Sequence, residues 1–339
     1  MERQIALQFD DGVTRFITCR DSETLADAAY RQRINLPLDC RDGACGTCRC
    51  HCEAGDYDLP ASSYIDDALT ADDAAQRYIL ACQTRPRSDC VIRVPVSAAA
   101  CKTGAARHEG TLAAVDPLSD STIRFSVDVD APERLGFLAG QYVNVEIPGD
   151  GAARSYSFSS QPGNARVSFL VRNVPGGRMS GYLTGQAAPG QRIAFSGPHG
   201  SFYLRDAARP ALFLAGGTGI APFLSMLDVC AAQARTQPVR MVYGVTRDAD
   251  LVALDRLDDV RRRFSGFDYR TCVADEASAH ARKGYVTAHV DPAWLNGGDV
   301  DLYLCGPVPM VDAVRAWLRD TGITPAQCYF EKFSSSGAA

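Results

Sequence analysis

The chain has 339 residues, enough for two or three domains of ordinary size, and a hydrophobic content of 46% gives it the means to bury a core. No apolar run approaches the roughly 18–20 residues that cross a bilayer. The net charge of −5 comes from residues 1–96, where 11 Arg and no Lys face 16 acidic residues; the remainder balances, which excludes a basic nucleic-acid surface. An acidic first third suits either plain solubility or docking on a basic partner. The opening MERQIALQFDDG has no basic stretch followed by an apolar one, so no signal peptide is read and a cytoplasmic location is expected. Thirteen cysteines in a reducing compartment point to metal binding or redox chemistry rather than a disulfide framework.

In chain order, Ile5, Leu7 and Phe9 alternate as on a strand, a DDG turn follows, and Val13 and Phe16 begin a second strand. SETLADAAYRQRI reads as a helix capped by Ser22, with Leu25, Ala28 and Ala29 on one face. A cysteine-rich loop comes next, and VIRVPV supplies a return strand that closes a compact α+β unit over residues 1–96. Residues 97–108 have no strong periodicity and are read as a linker. Over 109–206, short strand-like runs broken by Gly and Pro, such as QYVNVEIPG, suggest a small antiparallel β-barrel. Over 207–339 the apolar strands ALFLAG, VRMVYGV and DLYLCG alternate with helical segments, the pattern of a doubly wound parallel α/β sheet.

The stretch DCRDGACGTCRCHC holds five cysteines in 14 residues. Cys40, Cys45 and Cys48 have the spacing C-x4-C-x2-C, and Cys82 lies 34 residues further on; this is the plant-type 2Fe–2S ferredoxin arrangement. Such a cluster and its thiolates carry net negative charge that reduction deepens, so backbone N–H groups must point at the sulfurs. Gly43 and Gly46 permit the tight loop that does this. The alternative is a zinc site of four thiolates, but zinc usually takes two close pairs of cysteines, whereas here three are clustered and one is distant. Cys50 and Cys52 fall on a following strand and are read as small buried hydrophobes.

Arg154, Ser155, Tyr156 and Ser157, in RSYSFSS, resemble the R-x-Y-S signature of the ferredoxin–NADP reductase superfamily. The resemblance implies that Arg154 pairs with the FAD pyrophosphate, Tyr156 packs on the flavin and Ser157 reaches the flavin N5 edge; the planar fork of Arg suits phosphate. Downstream, VRNVPGGRMSGYL resembles the second flavin segment of that superfamily. There Gly176 and Gly177 would let the backbone approach, and Ser180 at a helix start would place N–H groups and a hydroxyl on the diphosphate.

LFLAGGTGIAPFLSML reads as strand, glycine loop and helix. After Gly217, Thr218 and Gly219, the third glycine of a Rossmann fingerprint is replaced by Pro222, which suits a first helical turn. GGTGIAP again resembles the reductase superfamily, where this helix start faces the pyrophosphate of the nicotinamide dinucleotide. The next strand leads to Thr246, Arg247, Asp248 and Asp250. An acid there, taken as Asp248, accepts hydrogen bonds from a ribose 2′-OH and repels a 2′-phosphate, favouring NADH; the adjacent Arg247 would favour NADPH. Cys305, Gly306 and Pro307 end another strand, and in the superfamily this Cys lies beside the nicotinamide C4. In YFEKF, the resemblance implies that Glu331 sits near the hydride-transfer centre and that Phe330 or Phe333 covers a flavin face.

These three parts form a sequence of tasks. Nicotinamide gives two electrons as a hydride, an iron–sulfur cluster accepts one, and a flavin converts between them. Over essentially its full length the chain resembles the reductase components of two-component aromatic-ring dioxygenases of the benzoate, toluate, anthranilate and 2-halobenzoate type, through DGVTRF, RSYSFSSQPGN and GGTGIAPFLSML. The fold implied is a β-grasp ferredoxin domain, an antiparallel FAD barrel and a doubly wound NAD domain. The implied path runs from NADH to FAD to 2Fe–2S to a terminal oxygenase with a Rieske centre and mononuclear iron. Ala44 stands where that family carries Glu, which leaves the four ligands untouched. Two alternatives remain: the reductase of a multicomponent monooxygenase, and a colourless, zinc-stapled NAD-binding interaction protein.

Overall fold

The computed structural model describes residues 2–38, 43–44, 46–66, 68–98, 101, 106–205, 208–233 and 235–333. The chain divides into two compact units, Met1–Ala106 with His199–Ser201, and Arg107–Pro198 with Phe202–Ala339. Among the described residues no helix is long and apolar enough to cross a membrane.

The first unit is a β-grasp sheet in the strand order Thr14–Arg20, Glu2–Phe9, Cys90–Val94, Arg49–Ala54, Tyr78–Leu80. The first two strands form a hairpin across Gly12, whose φ of +78° is open to glycine without strain. Glu2–Phe9 also pairs in parallel with Cys90–Val94. The hairpin register sets Ile5 opposite Ile17 and Arg3 opposite Cys19, so Ile17 and Cys19 turn inward with Ile5, Leu7 and Phe9. Phe16 therefore faces out, 72% exposed, and Val13 stands one residue before the strand.

The helix is Leu25–Arg31, and it buries Leu25, Ala26, Ala28 and Ala29. Burying a leucine of this kind contributes roughly 1.5–3 kcal/mol. Its cap is Thr24, not Ser22. Thr24 is extended (ψ 162°), its hydroxyl accepts the Asp27 N–H at 3.2 Å, and Ser22 lies two residues too early in the turn.

In the second unit, six antiparallel strands run in the order Ala153–Ser157, Tyr142–Glu146, Arg192–His199, Ala106–Ser119, Thr122–Val129, Arg166–Arg172. The two outer strands meet beyond their ends. Phe158 bridges to Phe169, and the Ser159 N–H donates to the Ser168 carbonyl at 2.8 Å, which closes the sheet into a barrel. Phe125, Phe158, Phe169 and Phe195 fill the interior. The strand beginning at Ala106 takes in the last residues of the stretch read as a linker, because His108 is buried with its ring 5.4 Å from that of Phe195.

The third sheet is wholly parallel, in the order Phe267–Val273, Val239–Val245, Ala211–Gly216, Asp301–Pro307, Gln327–Phe333. The winding direction reverses between Ala211–Gly216 and Asp301–Pro307. Doubly wound sheets open their ligand crevice at the carboxyl ends of the two strands flanking such a reversal. Both strands are buried along nearly their whole length, as strands covered on two faces must be.

Candidate active site and cofactor sites

Cys48 immediately precedes Arg49–Ala54, and Cys82 lies two residues past the end of Tyr78–Leu80. Those strands pair antiparallel with Arg49 opposite Leu80, and the Ala81 N–H donates to the Cys48 carbonyl at 3.0 Å. The register thus carries two cysteines 34 residues apart to an Sγ–Sγ separation of 3.3 Å. A disulfide would need about 2.05 Å. Two thiolates on one tetrahedral metal at ~2.3 Å would lie about 3.8 Å apart, about half an ångström more than this buried pair. A cavity of about 150 Å³ lies against Cys82, lined also by Thr24, Ala26, Asp27 and Leu38, and Gln83 Nε2 stands 3.7 Å from the Cys82 sulfur as a donor.

Gly43 and Gly46 take φ of +76° and +71°, as the amide-inward loop requires. A side chain on Gly43 would strike the Ser63 carbonyl, and one on Gly46 would come within 3.1 Å of the Ala68 carbonyl. Cys40 and Cys45 lie outside the described residues. Cys50 and Cys52 are buried in the sheet; burial pushes the Cys50 thiol well up, whereas hydrogen bonds from Cys90 and from the Arg77 guanidinium lower the Cys52 pKa to about 6.

On the barrel, Arg154, Ser155, Tyr156 and Ser157 occupy the edge strand Ala153–Ser157. The Ser155 hydroxyl donates to Asn144 Oδ1 at 2.7 Å, and Tyr156 packs edge-on to Phe125 with ring centroids 6.0 Å apart. Gly176 has φ +71°, Gly177 is the residue before the helix Arg178–Gly185, and Ser180 sits in the first turn of that helix. The Ser180 hydroxyl, however, donates to the Val174 carbonyl at 3.0 Å and accepts the Val174 N–H at 3.3 Å. It is turned into its own loop and buried, so its role is to hold the loop shape. The start of the helix Arg178–Gly185 keeps backbone N–H groups without intrahelical partners, as every helix start does.

The three residues assigned to hydride transfer converge. Ser157 ends its strand and donates its hydroxyl to Glu331 Oε2 at 3.1 Å, in buried surroundings. Cys305 and Glu331 stand opposite each other in neighbouring parallel strands, and the Cys305 Sγ lies 3.9 Å from the same Glu331 oxygen. Burial first, and the Glu331 carboxylate second, raise the Cys305 pKa well above that of a free thiol. The sulfur therefore keeps its proton.

Alternation along Gln327–Phe333 separates the two phenylalanines. Phe330 is buried under the Arg315 guanidinium, 5.0 Å from its ring, and Lys332 reaches Asp312 at 3.0 Å, so 330 and 332 face the helix Val308–Thr321. Phe333 shares the Glu331 face and Phe330 does not. The two candidates for the flavin cover thus lie on opposite faces of the strand.

At the switch point, Gly217, Thr218 and Gly219 form a single 3₁₀ turn, and Pro222 lies in the first turn of the helix Ala221–Ala232. A Cβ on Gly219 would collide with the Cys305 carbonyl, and one on Gly306 would lie 2.9 Å from Met310 Sδ, so the two loops touch through bare backbone. Pro307 then caps Val308–Thr321. At the end of Val239–Val245, Asp248 Oδ1 accepts the Ser278 hydroxyl at 2.8 Å, and Arg247 forks onto Asp250. Asn144, Ser278 and Met310 carried no signal in the sequence. Asn144 and Ser278 reach their partners across 11 and 30 residues, and Met310 lies four residues past Gly306; each has an ordinary local context.

Known families and relatives account for this assembly. The 2Fe-2S iron-sulfur cluster binding domain family matches residues 8–87, the oxidoreductase FAD-binding domain family 109–203, and the oxidoreductase NAD-binding domain family 213–316. The chain is 52% identical to the toluate 1,2-dioxygenase electron transfer component of Pseudomonas putida, over 99% of this chain and 100% of the other. It is 50% identical to the 2-halobenzoate 1,2-dioxygenase electron transfer component of Burkholderia cepacia, over 98% of each. Among solved structures, an Amycolatopsis cytochrome P450 reductase superposes with a TM-score of 0.72 at 29% identity, covering 98% of this chain and 100% of that one.

Proposed function

The chain belongs to the family of dioxygenase electron transfer components, and from that premise we propose that it feeds a terminal oxygenase of the benzoate type, carrying a Rieske centre and a mononuclear iron. It is an oxidoreductase that moves electrons from NADH through FAD to a 2Fe–2S cluster. When bound, FAD exchanges a hydride with nicotinamide and single electrons with the cluster. The division of labour follows the chain: 1–96 for the cluster, a linker from 97 up to the barrel strand that starts at Ala106, the barrel to 206 for FAD and 207–339 for NADH.

Cys40, Cys45, Cys48 and Cys82 would hold the cluster. Arg154 would fork onto the FAD pyrophosphate, Tyr156 and Phe333 would pack on flavin surfaces, and the backbone at Gly176 and Gly177 would cradle the diphosphate. Gly217, Thr218, Gly219 and Pro222, with Gly306 and Pro307 across from them, would line the dinucleotide crevice, and Asp248 would accept from the ribose.

The observation that carries this reading is the convergence of Ser157, Cys305 and Glu331 on one buried carboxylate oxygen. Hydride transfer asks for two rings in contact and water kept out, which is a positioning task. Ser157 Oγ holds its proton toward Glu331 Oε2, and the protonated Cys305 adds bulk without charge. Together they offer an oriented, dry surface against which a nicotinamide can rest.

The test is reconstitution. The purified holoprotein should contain iron, acid-labile sulfide and FAD, its visible bands should bleach with NADH, and it should drive ring hydroxylation by a benzoate-type oxygenase. Bleaching without support of any such oxygenase, alongside support of a monooxygenase, would overturn the acceptor assignment. If the acidic residues of 1–96 guide docking, transfer to the oxygenase slows with added salt while dye reduction does not.

A further inference from the structure

We propose that Asp250 sets the coenzyme preference at one remove, by keeping the Arg247 guanidinium from a 2′-phosphate. The inference rests on reading the loop after Val239–Val245 as the adenine-ribose subsite. That loop leaves the carboxyl end of the strand beside Ala211–Gly216. In doubly wound folds an acid at this place takes the ribose 2′-OH, and a nearby arginine is what accepts a 2′-phosphate. This loop holds both kinds of group, and the geometry decides between them.

Arg247 is already spent. Its Nη2 donates to Asp250 Oδ1 at 2.9 Å and its Nε to Oδ2 at 3.2 Å, a two-pronged fork, and its backbone N–H adds a bond to Oδ2 at 3.1 Å. Asp250 in turn is pinned from the opposite side. The Ser121 hydroxyl, from the turn between the barrel strands Ala106–Ser119 and Thr122–Val129, donates to its Oδ1 at 2.6 Å. The Asp250 side chain is 13% exposed and that of Arg247 55%. The carboxylate is the fixed partner, and the guanidinium is the one drawn to it.

An exposed ion pair alone would hold weakly. Here the anion has two further anchors, the Arg247 backbone N–H and the Ser121 hydroxyl, and its side chain is mostly buried. Asp120, on the same turn as Ser121, adds a second negative charge near Arg247. Asp248 accepts the Ser278 hydroxyl and has no cation paired with it among the described residues. The subsite thus presents one uncompensated carboxylate and one neutralised arginine. Coenzyme selection acts twice: Asp248 repels a 2′-phosphate, and Asp250 withholds the group that would attract it.

The experiment measures kcat/KM for NADH and NADPH with an artificial dye as acceptor, on flavin-loaded wild type, Asp250→Asn, Asp250→Asn with Arg247→Ala, Asp248→Ala and Ser121→Ala. Asp250→Asn keeps the side-chain shape and removes the charge. It should raise kcat/KM for NADPH about tenfold or more, mostly through KM, which is the scale of one charge-assisted hydrogen bond. Adding Arg247→Ala should return NADPH to the wild-type value, and Ser121→Ala, which loosens Asp250 without changing any charge, should give a smaller gain. If Asp250→Asn fails to load flavin, Ser121→Ala decides.

An unchanged NADPH/NADH ratio in these variants, with Asp248→Ala still shifting it, overturns the withholding role and leaves the ribose subsite standing. A gain that survives Arg247→Ala also overturns it. If Asp248→Ala moves nothing either, the subsite reading itself falls.

Discussion

In the first unit Cys48 and Cys82 meet because an antiparallel pairing lays the two ends of its strands side by side; in the second, Cys305 and Glu331 meet because two parallel strands carry them to the same height. The Cys48 thiol meets the Cys82 sulfur at 3.3 Å. The buried carboxylate, by contrast, already has the Ser157 hydroxyl on it. The first centre is a pair of cysteines expected to be completed by a metal, and the second is a contact among side chains of the protein alone. Preorganisation by bound metal and preorganisation by strand register should therefore fail in different ways.

The largest effect is expected on the metal-completed side. Cys82→Ser should abolish acid-labile sulfide and all electron delivery to the oxygenase while NADH-driven dye reduction continues at the wild-type rate. Loss of both would mean that the two centres do not work independently. On the register-built side, Glu331→Gln should slow flavin bleaching by NADH about 10²-fold in stopped flow through misplaced rings, with NADH binding little changed; an undiminished rate would remove Glu331 from the centre.

Gly219→Ala forces a methyl group against the Cys305 carbonyl, an overpacking that costs about 1–3 kcal/mol. It should lower the melting point of the flavin–nicotinamide unit and raise the KM for NADH, leaving cluster absorption intact. The smallest effect concerns His108. Burial lowers its pKa, opposed by a hydrogen bond to the Gly197 backbone, and its Nε2 has no partner among the described residues. A histidine depressed in the folded state costs nothing above the unfolded pKa of about 6.5 and destabilises as pH falls below it, because only the unfolded chain takes the proton. The urea midpoint for flavin release should drop from pH 7.5 to 5.5, and His108→Phe should flatten that slope.

Signals held in a short window were legible in the sequence. The cysteine spacing, the RSYS stretch and the GGTGIAP loop each combine a local backbone demand with a chemical one, and the three sheets followed from runs of alternation and apolar strands. What escaped depended on parity, direction or distance. Phe16 and Ile17 are neighbours of equal hydrophobicity, and only the cross-strand partner decides which turns inward. Thr24 outranks Ser22 because the first helical turn starts one residue after it. Ser180 has the right chemistry for a phosphate but is consumed by Val174 six residues away. Phe330 and Phe333 were separable only once Arg315 and Lys332 showed which face the last helix covers. Ser121 lies 129 residues from Asp250, and nothing local to either announces the contact.

The strand order of the first unit bears on how the protein is made. Cys90–Val94 lies in the middle of that sheet, yet it is the last of the five strands to leave the ribosome. Until it emerges, the Glu2–Phe9 hairpin and the Arg49–Ala54 pairing with Tyr78–Leu80 are two unjoined halves. The half that brings Cys48 to Cys82 is complete some ten residues before the strand that welds it to the other. A nascent chain halted in that interval would offer its thiols to iron delivery, or to oxidation, on a sheet still open at its centre.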